Sequence, residues 1–461
     1  MTAHEGAPVR RAAATLAASL VLVEFLAGMQ RYLSQTVLPL VADELDGAHL
    51  YGPLDAAAQA PMFLTMPLGA WLLSRFRVGR LMIALTLVTV AGAVACALAP
   101  SMSVFIGGTA VRAAAAGALA TVGMGAIGRG LPPRHRQLVL AAMSGVWVFS
   151  SVLGPAYAAG VASTLGWRWA MVLYLPLLLL ARLLVARSMP ERTDAVPPEP
   201  APWGWALVLA TGPAVLALPL GAWWGLAVLA GGGLVVGAAA RILPAGTLRA
   251  RDGRRAALTA LGVTAAVYFG ASMVLSVVAH DGFGLGASRY GFVIAAPGFC
   301  WAVAALWTGS HPAADDARLH RRAVTAGASI TAGVGVLLVT TLTAVGDGAA
   351  LAGLLLGAGL LGSGMGTVYP DLLGRCLARP ETDDGISDDR MASAVVVAES
   401  VGMALATTAA FAWLGGAGGD AAGALERARL LYLALLPVSV VMLRRLVAAS
   451  RSAARRPAGS A

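Results

Sequence analysis

The sequence predicts an all-α membrane protein, and three observations predict it. Of its 461 residues, 58% are hydrophobic and only 12% charged, with a mean hydropathy of +0.76, whereas a soluble domain carries about 25% charged residues. Apolar runs of the roughly 20 residues that a spanning helix needs recur fourteen times along the chain. The arginines between those runs fall with a strong bias on alternate loops, and basic loops stay on the cytoplasmic side.

Six runs come before residue 190, at 13–39, 53–74, 80–99, 103–128, 137–163 and 168–188. The stretch from Met189 to Pro202 (MPERTDAVPPEPAP) then breaks the hydropathy and reads as a cytoplasmic linker. Eight more runs follow, at 203–220, 222–243, 256–279, 289–309, 323–345, 349–373, 391–415 and 429–447. The pair within 203–243 has almost no loop between its members, so it reads as a hairpin inserted between two sets of six. The expected organisation is a six-helix N-terminal bundle over 1–188 and a linker over 189–202. The inserted transmembrane hairpin and the cytoplasmic loop after it take 203–255, a six-helix C-terminal bundle takes 256–449, and a basic cytoplasmic tail takes 450–461.

All 33 basic residues are arginine. With the N-terminus inside, 27 of them fall on the cytoplasmic side, Arg75, Arg77 and Arg80 among them. Arg168, Arg289, Arg427 and Arg429 fall outside, and Arg31 and Arg112 lie within the membrane. An odd miscount would put alternate clusters on the wrong side, so both termini are expected in the cytoplasm of a multi-pass protein of the cell membrane. The first apolar run is too long for a cleaved signal and contains Glu24 and Arg31. The net charge of +10 needs no nucleic-acid partner, because anionic membrane lipid supplies the counter-charge.

Composition excludes several chemistries. A chain without lysine has neither a P-loop lysine nor a Schiff base, so neither ATP nor a cofactor is expected as a partner. Cys96, Cys300 and Cys376 stand in separate segments with no Cys-x-x-Cys pair, and the six histidines show no ligand spacing, so no metal is expected. There is no convincing nucleophile with its base, so an enzyme is not expected. Gly231-Gly232-Gly233 sits inside an apolar run, where it allows close packing and does not cradle phosphate. The acidic stretch Glu381 to Asp389 reads as a solvated cytoplasmic loop that sets Asp388 and Asp389 at the start of the thirteenth span.

Motifs narrow the class further. In the fifth span Ala141, Ser150, Gly154, Pro155, Ala158 and Ala159 combine small residues, which let helices approach closely, with a proline that bends the span. Gly166-Trp167-Arg168-Trp169 follows. The first span ends in Val37-Leu38-Pro39-Leu40-Val41-Ala42-Asp43-Glu44-Leu45, and Ala70 through Arg80 (AWLLSRFRVGR) forms the loop after the second. The fourth span carries Arg112, and the twelfth carries Gly362-Ser363-Gly364-Met365-Gly366 with Tyr369-Pro370. In this order and on these sides of the membrane, the motifs resemble the major facilitator superfamily, and most closely its fourteen-span drug:proton antiporter branch of the EmrB/QacA type. The chain departs from that branch at Gln30 and Gln35, which replace Asp and Asn, and at Ser74, which takes the loop's acidic position. The Gln that should follow Arg112 is missing. The resemblance implies a major facilitator fold, with two six-helix bundles facing a central cavity, a peripheral two-helix hairpin and alternating access by rocking. It also implies conformational roles for Ser74, Arg75, Arg80, Gly154, Pro155, Trp167 and Arg168.

An ionisable group in mid-span costs several kcal/mol to insert, which makes each one a functional hypothesis with a partner to be named. Glu24 lies about 11 residues into the first span, roughly 16 Å at 1.5 Å per residue, near the bilayer centre. Glu24, Gly28, Arg31 and Gln35 stack on one helical face. Arg112 enters about nine residues from the other side, so the two meet if the first and fourth spans face each other. Glu24 is expected to carry a coupling proton whose affinity Arg112 sets; the alternative is a fixed ion pair. Glu399 is expected to carry the proton or meet a cationic substrate, or else to make a polar contact between helices. Asp55 reads as a helix cap, and Asp371 as the local partner of Arg375 one turn on. Gln30, Arg31, Tyr32, Gln35, Tyr157, Tyr268, Trp301, Trp307 and Tyr369 are the candidates for lining a substrate cavity.

The expected function is therefore proton-coupled efflux of a small amphipathic or cationic compound by a monomer. The alternatives are a proton symporter or facilitator that imports a small metabolite, and a non-transporting receptor or scaffold of the same fold.

Overall fold

A computed structural model describes the backbone of residues 7–66, 68–130, 133–188, 203–218, 223–311, 313, 315–342, 346–377, 386, 388–415 and 420–451. Among these residues there is no strand. The helices are α1 (Ala7–Glu44), α2 (Tyr51–Thr65), α3 (Leu68–Arg75), α4 (Val78–Ala97), α5 (Met102–Gly130), α6 (Pro133–Leu165), α7 (Trp167–Ala170), α8 (Leu175–Ser188) and α9 (Trp203–Leu216). They continue as α10 (Trp224–Ile242), α11 (Gly253–Ser272), α12 (Leu275–Val277), α13 (Ala287–Ser310), α14 (Asp316–Leu342), α15 (Asp347–Leu377), α16 (Asp388–Gly415) and α17 (Ala421–Ala449). The linker 189–202, most of the acidic loop and the tail beyond Arg451 lie outside the described residues, as do the side chains of Ser74, Ala141 and Asp388.

Each apolar run of the sequence is helical, but several are not one continuous helix. The second is α2 and α3, the sixth is α7 and α8, and the ninth is α11 and α12 followed by a π-helical turn, Val278–Gly282. Eleven helical stretches among the described residues are long and apolar enough to cross a membrane. The others corresponding to apolar runs are α2 with α3, α6, and α9, which has only 14 residues. Prolines sit inside α1, α2, α6, α9, α13, α15 and α17. Membrane helices tolerate them because neighbours re-satisfy the freed backbone groups. The break between α6 and α7 falls at Gly166, whose φ of 91° suits a residue without Cβ.

The chain divides into two compact units, Met1–Gly231 with Gly286–Gly291, and Gly232–Leu285 with Phe292–Ala461. Within the first, α1 packs on α6 and α8, α5 packs on α2 and α4, and α4 packs on α8. Within the second, α11 packs on α16 and α17, and α14 packs on α15 and α17. One packing scheme is therefore built twice, as expected for superfamily halves made from repeats. Small residues make the close crossings possible in both. In the first unit, a Cβ on Gly154 would come within 2.8 Å of Tyr32 Cβ and 3.2 Å of Met29 O. In the second, Gly402 of α16 crosses against Gly262 of α11. The helix α9 lies against α2 in the first unit, and its Trp203 is edge-on to Trp71 of α3 at 6.3 Å.

Candidate functional site

Glu24 is half-buried on α1, which packs on α6 and α8 in the first unit. The motif of small residues in α6 meets α1 next to it. Ser150 donates to the Phe25 carbonyl at 3.0 Å, and Gly154 lies one turn further along, against Met29 and Tyr32. Pro155 and Ala158 are buried beside them. One cation within electrostatic reach of Glu24 is Arg182 of α8, which is 9% exposed and whose Nε has no hydrogen-bond partner among the described residues. Arg182 is a correction to the arginine count: it lies inside the bundle, not in a cytoplasmic loop. Its position within the run LPLLLLARLLVARS was the available signal.

Arg112 stands elsewhere. Its guanidinium reaches Ser34 at 3.5 Å, ten residues along α1 from Glu24, or about 15 Å. The structure does not bring Glu24 and Arg112 together. Along α1 Gln35 is buried, while Gln30 and Arg31 are half-buried. Tyr157 of α6 donates to the Ala170 carbonyl at 3.1 Å. At the end of α3, Arg75 is exposed and lies 5.3 Å over the Trp71 ring, and Arg80 is exposed at the start of α4.

Trp167 and Arg168 clasp the end of α1. Trp167 Nε1 donates to Glu44 Oε2 at 2.6 Å, and Arg168 forms an ion pair with Glu44 and donates to the Ala99 carbonyl at 3.2 Å. The guanidinium also lies 4.3 Å over the Trp167 ring, which packs edge-on against Phe105. Glu44 was legible only as the end of a motif; its role as the acid of this clasp was not.

In the second unit four predicted residues from four helices meet. Tyr369 of α15 donates to Glu399 of α16 at 2.9 Å. Trp301 of α13 packs edge-on against Tyr369 and against Tyr268 of α11, both at 5.1 Å. Phe269, which the sequence did not single out, extends the wall at 6.2 Å from Trp301. The glycine run of α15 seats this wall. Gly362 and Gly366 face the α13 backbone at Pro297 and Trp301, and Gly364 faces Ala326 and Ile330 of α14. The alternation puts α15 tightly between two neighbours and holds Trp301 beside the Tyr369 ring. Glu399 and Tyr369 are half-buried, Tyr268 is buried, and Trp307 is 61% exposed on the outside of the unit.

The ends of the same helices carry cross-helix ion pairs. Asp371 pairs with Arg322 of α14 at 2.9 Å and accepts from the Ala313 N–H at 3.3 Å, while Arg375 reaches Asp316 at 3.3 Å. The local Asp371–Arg375 pair expected from spacing is not formed, because α14 supplies better-placed partners to both.

Comparison with known proteins agrees with this architecture. Residues 20–382 match the Major Facilitator Superfamily. The multidrug efflux pump SdrM of Staphylococcus aureus (strain N315) is 22% identical over 169 residues, 36% of this chain and 37% of that protein. The multidrug export protein EmrB of Haemophilus influenzae is 22% identical over 186 residues, 40% of this chain and 36% of that protein. The matched part thus spans somewhat over a third of each relative's length. Among solved structures, a bacterial homolog of the human lysosomal transporter Spinster, inward-facing and unoccupied, gives a TM-score of 0.64 at 13% identity, covering 97% of this chain and 98% of that one. The human organic anion transporter MFSD10 gives 0.56 at 16% identity, covering 96% and 100%. Those identities carry the fold alone, but the family match takes in most of the sequence together with the motifs and the twice-built packing: the chain belongs to the major facilitator superfamily.

Proposed function

We propose that this protein is a secondary active transporter, not an enzyme, which exports a small amphipathic organic compound bearing a cationic group in exchange for protons. The observation that carries this is a half-buried glutamate in mid-helix in each unit, Glu24 and Glu399, each with surroundings suited to one task. Glu399 stands at the end of an aromatic wall formed by Tyr369, Trp301 and Tyr268. Aromatic faces and a carboxylate together attract an organic cation. Glu24 stands mid-way along the apolar helix α1 with Arg182 within reach. A carboxyl alternating between apolar surroundings and a nearby guanidinium binds and releases a proton. Each proton moving inward contributes about 2.3 kcal/mol per 100 mV of membrane potential.

The same proposal takes α2 with α3, α6 and α9 as crossings beside the eleven long apolar helices, making fourteen, with both termini in the cytoplasm of the cell membrane. It includes the inserted hairpin, the conformational motif residues and a monomeric state. The efflux pumps among the partial relatives support the direction of transport.

Everted membrane vesicles with an acid lumen test it, with ethidium as the probe. The wild type should accumulate ethidium when the gradient is imposed. Glu24→Gln should lose that accumulation while remaining folded in the membrane, and Glu399→Gln should lose ethidium binding. Loss of ethidium from wild-type vesicles under the same gradient would mean symport, and undiminished pH-driven uptake by Glu24→Gln would remove Glu24 from the mechanism.

A further inference from the structure

Near the Glu44 end of the first unit, buried hydrogen-bond donors lie close to one another, and among the described residues no carboxylate is in ion-pair contact with the guanidinium among them. Arg112 is 8% exposed. Its stem crosses α4 at Gly92, where a Cβ would sit 2.7 Å from Arg112 Cγ and 2.8 Å from Gly108 O. One guanidinium nitrogen is 3.5 Å from Ser34 Oγ, at the limit of hydrogen bonding, and Nε has no partner among the described residues. Tyr174, between α7 and α8, is 4% exposed, and its hydroxyl also has no partner among them. That hydroxyl lies within electrostatic reach of both Arg112 and Cys96. Cys96 itself faces Phe105 O and Thr109, one to two turns before Arg112 on α5.

No described carboxylate pairs with Arg112. On α1, Glu24 and Glu44 each stand ten residues from Ser34, about 15 Å along the helix, and Glu44 is held by Arg168. A buried guanidinium without a counter-charge costs several kcal/mol. A water molecule satisfies donors but supplies no charge, and a cation is repelled. A carboxylate meets both needs, because it accepts two parallel bonds from a guanidinium and further bonds from hydroxyls.

We propose that Arg112, Tyr174 and Ser34 form a binding site for one small monovalent anion. The anion is either an acidic group of the cargo or a resident inorganic ion such as chloride. In the first case the inference rests on the export reading and makes the cargo one that carries an acid; in the second it stands by itself.

The test uses the full chain in detergent, in buffer free of chloride and carboxylates. It is titrated with benzoate, with chloride and with benzylammonium at matched ionic strength, and the thermal unfolding midpoint is read. At least one anion should raise the midpoint saturably and by way of Arg112, whereas benzylammonium, which suits the Glu399 wall, should give the same response in Arg112→Gln as in the wild type. Arg112→Gln should weaken the response at least tenfold, and Tyr174→Phe, which removes a single oxygen, should weaken it several-fold. Gly92→Ala should weaken it too, by displacing the arginine stem. Saturation by benzoate alone identifies a cargo group, and saturation by chloride with competition from benzoate identifies a resident ion. Glu24→Gln should bind the anion as the wild type does, so loss of proton coupling and loss of this site are separable. Absence of a saturable response in the wild type, or an equal response in both Arg112→Gln and Tyr174→Phe, overturns the proposal.

Discussion

A glutamate in the middle of an apolar helix has either to be held by a partner or to be left able to take up a proton. Glu24 is half-buried and within reach of Arg182, and a guanidinium nearby favours the charged form. Arg182→Gln should therefore change the pH profile of transport, whereas Arg182→Lys keeps it near that of the wild type. A profile unchanged in Arg182→Gln, measured in vesicles across pH, would show that Arg182 does not act on the coupling acid. The acids themselves were legible in the sequence, since a charge within a long apolar run is conspicuous. Their partners were not. Whether Glu24 faces Arg112 or Arg182, and whether Asp371 takes Arg375 or Arg322, depends on helix rotation and register across the bundle, which hydropathy does not encode. Trp301, Tyr268 and Tyr369 were legible as candidates, and their meeting at Glu399 follows from the crossing of four helices far apart in sequence.

At the scale of the helix, the small residues have defined work. Ser150 and Gly154 let α6 lie against α1 beside Glu24, and Gly362, Gly364 and Gly366 wedge α15 between α13 and α14. Gly154→Val pushes a branched side chain into Tyr32 and the Met29 carbonyl, so it should cost about 1–3 kcal/mol, as overpacking does. Gly160→Val, with nothing within 4 Å of its Cβ position, serves as the control. Unfolding midpoints of the two purified variants check this, and equal midpoints would mean that the α1–α6 contact tolerates separation. The apolar runs and their order were readable because a membrane demands about 20 residues per crossing. The breaks within them were not readable, since the step from α7 to α8 and the π turn after α12 arise from local backbone geometry that hydropathy averaged over a whole run does not register.

Over the whole chain, two units with one internal packing scheme accompany membership of the major facilitator superfamily. The proposed division of labour gives each unit one glutamate, with proton traffic at Glu24 and cation recognition at Glu399. Its direct measurement is proton movement in proteoliposomes holding a pH-sensitive dye, with an ethidium gradient applied and no initial pH difference. The account predicts protons moving against the ethidium flow in the wild type, and none in Glu24→Gln although ethidium still binds. Protons moving in the same direction as ethidium, or moving undiminished in Glu24→Gln, would contradict it.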